Sequence, residues 1–474
     1  MSQVLHQSFQ TFSQVHNTPD ETGILLATPL RQPGQSEQFF RGQVRTPLLF
    51  RETLIWLSDI VNSRFYRPDL WRLMDPVITC EPTRVRLECF SSCASVYGRI
   101  DLDERFFNGY ALHTRGSTNV DFNPAFLKSV SLLRPEQRAV FEVGSEFIAL
   151  NTESESAIEH KVKLPERWLR GFLQSQALFR RARPWQSLPA LAARQFLLQV
   201  KTSEEREKWL IMRGKQLQPL SLAPSGSFQL PILPVSGLHR LGLFRRLIPY
   251  LQGLDIYHTS EGGPSIWVAH LPHARATLAL SSSIQRGFSG EGEALRSLSV
   301  SQDSPNLAFL RSLVARLDSF TLEDLGQLLA LPEAEIASLT DTLATEVLLG
   351  YDTASERFFY SVLPFVSAQR GRLDQAHNLL QAGQVELEQC TPLSGGFSAR
   401  GWVRGSTAEY QSELAVQAGY LSQGQCSCAW IQKHQLQRGP CKHLLALRFA
   451  AEALLEQKTP IALESEAPHD SPMV

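Results

Sequence analysis

Residues 426–443 read CSCAWIQKHQLQRGPCKH, and this stretch decides how the carboxyl-terminal part of the chain folds. Cys426 and Cys428 flank one serine, twelve residues intervene, and Cys441 and His443 flank one lysine. Three thiolates and one imidazole are the donor set that tetrahedral Zn²⁺ takes, at about 2.3 Å for sulfur and ~2.0 Å for nitrogen. In extended backbone, residues two apart project to the same side, so Cys426 and Cys428 can converge on one ion. Gly439-Pro440 turns the chain, and His443 is expected to reach back from the first turn of a closing helix. With four protein donors no position is left open for water, so a structural role is expected rather than a hydrolytic one. A site of this kind contributes on the order of 10 kcal/mol of apparent binding energy to folding. Two other readings use the same letters: thiols and a histidine clustered by chance, or a redox pair at Cys426 and Cys428, for which no C-x-x-C is present. His434 lies between the ligand pairs and is a weaker substitute for His443, because nothing fixes its place in the loop.

The rest of the chain is that of a folded protein. It has 474 residues, 43% of them hydrophobic, which predicts roughly three domains at about 150 residues each. The net charge is −1, from 46 basic and 47 acidic residues, which excludes a chain-wide polyelectrolyte built to coat nucleic acid. No apolar run approaches the ~18 residues needed to cross a bilayer, so no membrane association is expected. The opening MSQVLHQSFQ has neither a basic segment nor an apolar stretch, so the chain reads as cytoplasmic, without a signal peptide. Seven cysteines, an odd count without a secretory signal, argue against a disulfide framework.

Hydrophobic periodicity divides the chain into an α+β multidomain architecture. Residues 1–40 are a weakly structured segment, and 41–218 a mixed α+β region with a helix over 47–63 and strands at 83–90, 94–102, 109–114, 139–151 and 157–164. The basic amphipathic helix 165–182 and a helix over 189–199 follow in the same region. The Pro/Gly/Ser-rich stretch 219–237 opens a second α+β region, 219–303, with a helix at 240–251 and three strands after it. That order echoes residues 67–102 and raises a diverged duplication. Residues 304–366 predict three helices and a hairpin, a winged-helix-like order, with Thr321 and Asp324 placed to form a capping box. Residues 375–457 form the ββα zinc module, and 458–474 a disordered tail.

The Cys-x-Cys…Cys-x-His order, strands before the ligands, and Gly439-Pro440-Cys441-Lys442-His443 followed by Leu444-Leu445-Ala446-Leu447 resemble the SWIM zinc finger. The segment Lys163-Leu164-Pro165-Glu166-Arg167-Trp168-Leu169-Arg170-Gly171-Phe172 is similar to what bacterial SWIM zinc-finger proteins of this length carry upstream. The resemblance implies zinc as cofactor, with Cys426, Cys428, Cys441 and His443 as its ligands. It also implies work alongside MoxR-type AAA ATPases and von Willebrand A-domain proteins. SWIM fingers in general are credited with binding DNA or protein, and the ligands alone do not choose.

Charge patterning bears on that choice. Lys433, Arg438, Lys442 and Arg448 give the finger a local +4 without an acid, which compensation of the thiolates explains ahead of phosphate contact. From Ser319 to Gly350 there are six acids (Glu323, Asp324, Glu333, Glu335, Asp341, Glu346) and no lysine or arginine. A recognition helix runs between two phosphate rails and carries cationic or amide side chains, so this module is expected to pack internally or bind protein. Lys161, Lys163, Arg167, Arg170, Arg180, Arg181 and Arg183 form a basic face against Glu166 alone, suited to a solvated surface, a nucleic acid, or an acidic partner such as 319–350.

No phosphate loop, HExxH, GxSxG or strand-to-helix GxGxxG occurs. The run His113–Asp121, paired with Cys80, Cys89 or Cys93, is the one candidate for nucleophilic chemistry, and turn chemistry accounts for its composition more cheaply. The sequence therefore predicts a non-enzymatic protein-interaction adaptor with a structural zinc site, and as alternative a zinc-dependent DNA- or RNA-binding protein.

Overall fold

The computed structural model describes residues 14–17, 22–25, 38–65, 76–154, 156–160, 164–201, 208–222, 232–259, 263–284, 287–288, 305–345, 348–360, 370–405, 408–417 and 420–458. Most of the segment 1–40, Lys161, Lys163, Glu346 and the tail after 458 lie outside them. The chain divides into two compact units, one built largely from residues before 369 and one from the carboxyl-terminal residues.

An eight-stranded antiparallel sheet dominates the first unit. Its strands run in the order Arg183–Pro189, Gly253–His258, Ser265–Leu271, Ala274–Leu280, Val96–Asp103, Arg84–Phe90, Val77–Cys80 and Gly116–Asn119. It draws on both expected regions, 41–218 and 219–303, because Ala274–Leu280 pairs with Val96–Asp103 through seven consecutive residues. The 219–237 stretch therefore does not separate two sheets. Outward from this central pairing three strands on each side mirror one another, each set preceded by a helical segment, Pro47–Asn62 or the 3₁₀ segment Leu238–Tyr250. The outermost strands differ: Gly116–Asn119 follows its set in the chain and Arg183–Pro189 precedes its own. The two helical segments touch, with Trp56 stacked on Phe244 at 5.9 Å.

Period-2 alternation makes the two faces of this sheet different. Val85, Leu87, Cys89, Val96, Gly98, Ile100 and Leu102 turn to the helical side, where Cys89 Sγ meets Leu57 O at 3.7 Å. A Cβ on Gly98 would meet Ile60. Pro47 occupies the first turn of its helix, where a missing N–H costs nothing, and Leu49, Phe50, Leu54, Trp56, Leu57 and Ile60 are fully buried. Each such side chain contributes about 1.5–3 kcal/mol by leaving water.

The opposite face carries Arg86, Glu88, Tyr97, Arg99 and Asp101, all buried. The basic helix Glu166–Arg181 covers part of it, packing Phe172 and Phe179 edge-on to Tyr97. The remainder is covered by the acidic unit, made of helices Pro305–Val314, Leu322–Leu329 and Glu333–Thr345 and the strands Ser319–Phe320, Leu349–Asp352 and Arg357–Tyr360. The Thr321/Asp324 capping box is present, with Asp324 N–H donating to Thr321 Oγ1 at 3.0 Å and Thr321 N–H to Asp324 Oδ2 at 2.9 Å. Leu310, Val314, Leu325, Ile336, Leu339 and Leu343 form this unit's own core.

Arginines on the body meet aspartates on the acidic unit. Arg180 pairs with Asp341, and Arg115 pairs with Asp318 while also donating to Leu317 O at 3.0 Å. Asp352 accepts from Arg99 Nη2 at 3.0 Å and Arg84 Nη1 at 3.4 Å, and it also pairs with Arg275. Burial opposes the charge on Asp352, but Arg99, Arg275 and Arg86 override it and hold the carboxyl well below the usual range. Thus the basic helix and the acidic segment are partners within one chain.

A second sheet of five strands includes Gln38–Val44, Phe107–Leu112, Ala139–Gly144, Phe147–Thr152 and Ser156–His160. The expected strand 139–151 is in fact a tight hairpin of two strands.

Candidate metal centre

The second unit is a four-stranded antiparallel sheet with helices against it, richer than a ββα finger. Its strands are Val385–Leu393, Gly396–Arg404, Glu409–Gln417 and Tyr420–Cys426, in that order. The terminal helix Lys442–Lys458 lies on this sheet, and a second helix, Arg370–Gln381, packs along it with His377 stacked on Phe449 at 4.7 Å. Leu444, Leu445, Ala446 and Leu447 are fully buried, which anchors the first turns of the terminal helix.

Each donor is placed by a different element end. Cys426 closes the last strand opposite Ser412, whose hydroxyl donates to Cys426 Sγ at 3.3 Å. The ladder continues one step, with Ser427 N–H bonded to Gln411 O at 3.1 Å, and Cys428 then caps the short helix Ala429–His434. Gly439 adopts φ +78, a left-handed conformation that costs glycine little, and Pro440 follows it into the terminal helix. Cys441 sits at that helix start, where Leu444 N–H donates to its sulfur at 3.4 Å. His443 lies in the first turn, its ring stacked on Tyr410 at 4.1 Å, with Nδ1 3.8 Å from Cys426 Sγ.

The four ligand atoms all lie within 4.8 Å of one another, and all four residues are buried, with exposures of 3–7%. That spacing suits a single tetrahedral ion. The donor set fits a metal chemically as well. Hydrogen bonding from Cys426 pulls the Cys428 thiol far below the usual range, while burial pushes Cys441 far above it. Three thiolates this close repel one another, and a bound cation would offset that repulsion. Ser412 and Leu444 supply the donors to sulfur that support a bound thiolate. Zinc held here would brace the strand end, the short helix and the terminal helix, with no protein position left vacant for a substrate.

His434, the substitute considered for His443, lies apart from this group and sets its ring against Trp430 at 4.7 Å. Ser412 and Tyr410 were not singled out in the sequence. The antiparallel register that puts Ser412 opposite Cys426 is what would have revealed the first, and Tyr410 carries no comparable signal.

Among the described residues, no hydrogen bond joins His113 to Cys80, Cys89 or Cys93, the last partly exposed and bonded instead to Ser91 and Ser95. Residues 116–119 form the edge strand beside Val77–Cys80 rather than a turn, with Ser117 Oγ 2.8 Å from Thr79 Oγ1. His113 is exposed, whereas Cys80 and Cys89 are fully buried, and burial raises both thiols well above the usual range.

No family profile and no curated protein matches the chain. Among solved structures, similarity is found to Proliferating Cellular Nuclear Antigen from Entamoeba histolytica, at 10% identity and TM-score 0.35, over 52% of this chain and 98% of that one. A PCNA2–PCNA3 complex from Sulfolobus tokodaii is similar at 8% identity and TM-score 0.36, over 51% of this chain and 98% of that one. A likeness at this level carries no functional conclusion. Among the described residues, no helix is long and apolar enough to cross a membrane.

Proposed function

We propose that this chain is a zinc-binding protein of the SWIM-finger type that acts as a non-enzymatic protein-interaction adaptor. The observation that carries the reading is the convergence of Cys426, Cys428, Cys441 and His443 within 4.8 Å in a buried site. Four protein donors favour a structural ion, and the ion's work is to hold a sheet, a short helix and the terminal helix as one surface. The resemblance of this motif and its flanks to bacterial SWIM proteins supports a partner among MoxR-type ATPases and von Willebrand A-domain proteins.

The acidic unit bears on the choice between protein and nucleic acid. Its order of three helices and a hairpin is winged-helix-like, and in that reading Glu333–Thr345 would be the recognition helix and 349–360 the wing. Here Asp341 of the helix pairs with Arg180, and Asp352 of the hairpin is 2% exposed among arginines. Both candidate DNA-reading elements are spent on internal contacts, which favours a protein-binding role. The nucleic-acid alternative keeps one supporting observation: Lys433 is exposed beside the partly exposed Trp430, and the segment 426–448 holds no acid.

Elemental analysis tests the zinc reading, which requires close to one equivalent in the supplemented protein; less than half an equivalent refutes it. Pull-down with the intact protein and with Cys441→Ser tests the adaptor, whose partner should be retained only by the former. A salt titration of nonspecific DNA binding separates the alternative: a steep loss of affinity with salt, weakened in Lys433→Ala or Arg438→Ala, would favour the nucleic-acid binder.

A further inference from the structure

Helix Arg370–Gln381 is not part of the Cys-x-Cys…Cys-x-His pattern, yet one of its side chains reaches both halves of it. The Arg372 guanidinium carbon stands 4.6 Å from the centroid of the Trp430 ring, two residues beyond Cys428. Arg372 Nη1 also donates to the carbonyl of Pro440 at 3.2 Å, the residue immediately before Cys441. One planar cation therefore ties the segment that follows the first ligand pair to the segment that precedes the second. Its own helix is held firmly, with Ala376 fully buried and His377 stacked on Phe449 of the terminal helix.

We propose that Arg372 is a positioning residue for the metal centre, a brace that holds the two ligand-bearing segments in register before and after the ion binds. The proposal rests on the zinc reading for what the brace serves. The physics favours arginine specifically. Its fork donates to a carbonyl while its flat face stacks on an aromatic ring, and a lysine ammonium cannot do both from one position. Three thiolates outweigh Zn²⁺ by one formal charge, so a cation on the segments flanking the centre also suits its sign.

Two measurements on the full-length protein decide it. Zinc release into a chromophoric chelator is followed for wild type, Arg372→Ala and Arg372→Lys, with circular dichroism to confirm retained structure. Release from Arg372→Ala should be about 10–100-fold faster, the range typical of lost outer-sphere support, with Arg372→Lys nearer to Ala than to wild type. Release at the wild-type rate overturns the proposal. Hydrogen exchange of the zinc-free protein is the second readout. Faster exchange in Arg372→Ala confined to 426–443 supports the brace, whereas unchanged exchange there, or equal loosening across 370–381 and 442–458, assigns Arg372 to general packing and overturns it. Should the wild type take up no zinc, the zinc reading fails, and the exchange measurement still decides whether Arg372 orders these segments.

Discussion

Asp352 and Arg99 stand 253 residues apart in the chain and meet at 3.0 Å in the interior, with exposures of 2% each. Around them Arg86 bonds Asp101 at 2.8 Å and Glu81 at 2.7 Å, and its guanidinium lies 3.4 Å over the ring of Phe359. The hairpin of the acidic unit is thus fastened to the sheet by a charge network almost closed to water. Such a network contributes little relative to an apolar packing of the same volume, because desolvation offsets the attraction. Removing one member is different, since its partners are left charged and buried.

Asp352→Asn is therefore expected to lower unfolding stability by roughly 3–5 kcal/mol, the usual cost of breaking a buried pair from one side. Chemical denaturation at neutral pH measures it. A loss below about 1 kcal/mol would mean that water or rearrangement rescues Arg84, Arg99 and Arg275. The sign with pH follows from the same group. Its folded-state carboxyl titrates below the usual aspartate range, so its stabilisation is complete above about pH 4 and fades as the pH falls further.

Arg180 and Asp341 join the basic helix to the helix Glu333–Thr345. A double-mutant cycle with Arg180→Met and Asp341→Asn should give a coupling of about 0.5–3 kcal/mol, as contacting charged residues do. Additive effects would show that the pair meets without mutual stabilisation.

Glu159 provides an opposite pH signature. Burial, reinforced by nearby Asp121, raises its carboxyl to about 7, against a partial offset from Asn123 N–H. A carboxyl raised on folding binds more protons folded than unfolded, so the stability it lends is full below about pH 4 and is lost as the pH rises through 7. Glu159→Gln should flatten the fall in melting temperature between pH 5 and pH 8. A curve parallel to that of the wild type would assign the fall to other groups.

Much of this was legible in the sequence, and the missing parts share a cause. The cluster Cys426, Cys428, Cys441 and His443 could be found because its chemistry is carried by identity and spacing, and the capping box because its two residues lie three apart. The acidity of 319–350 and the basicity of 161–183 could be read, and the pairing of Arg180 with Asp341 is one consequence. Hidden were the short strand Val77–Cys80 and the edge strand Gly116–Asn119 beside it, whose partners supply the ladder that their own composition does not announce. Also hidden was the union of 41–218 with 219–303, because the pairing of Ala274 with Leu102 is set by tertiary packing and not by local periodicity. The helix Arg370–Gln381 was missed for a related reason: its sequence, RGRLDQAHNLLQ, is polar, and its buried stripe is short.

The ligand assignment itself makes the last prediction. Ser412→Ala removes the hydroxyl that donates to Cys426 Sγ at 3.3 Å and leaves all four donors in place. Outer-sphere donors of this kind typically affect metal affinity 10–100-fold, so Ser412→Ala should bind zinc stoichiometrically but more weakly. Cys441→Ser should lose stoichiometric zinc and, with it, much of the unit's resistance to proteolysis, because the binding energy of a structural site is folding energy. His434→Ala should keep both, since its ring rests on Trp430 outside the cluster. Chelator competition on the three variants reads all of these at once. Zinc retained by Cys441→Ser but lost by His434→Ala would move the fourth ligand to the loop and require the segment 429–441 to be folded differently.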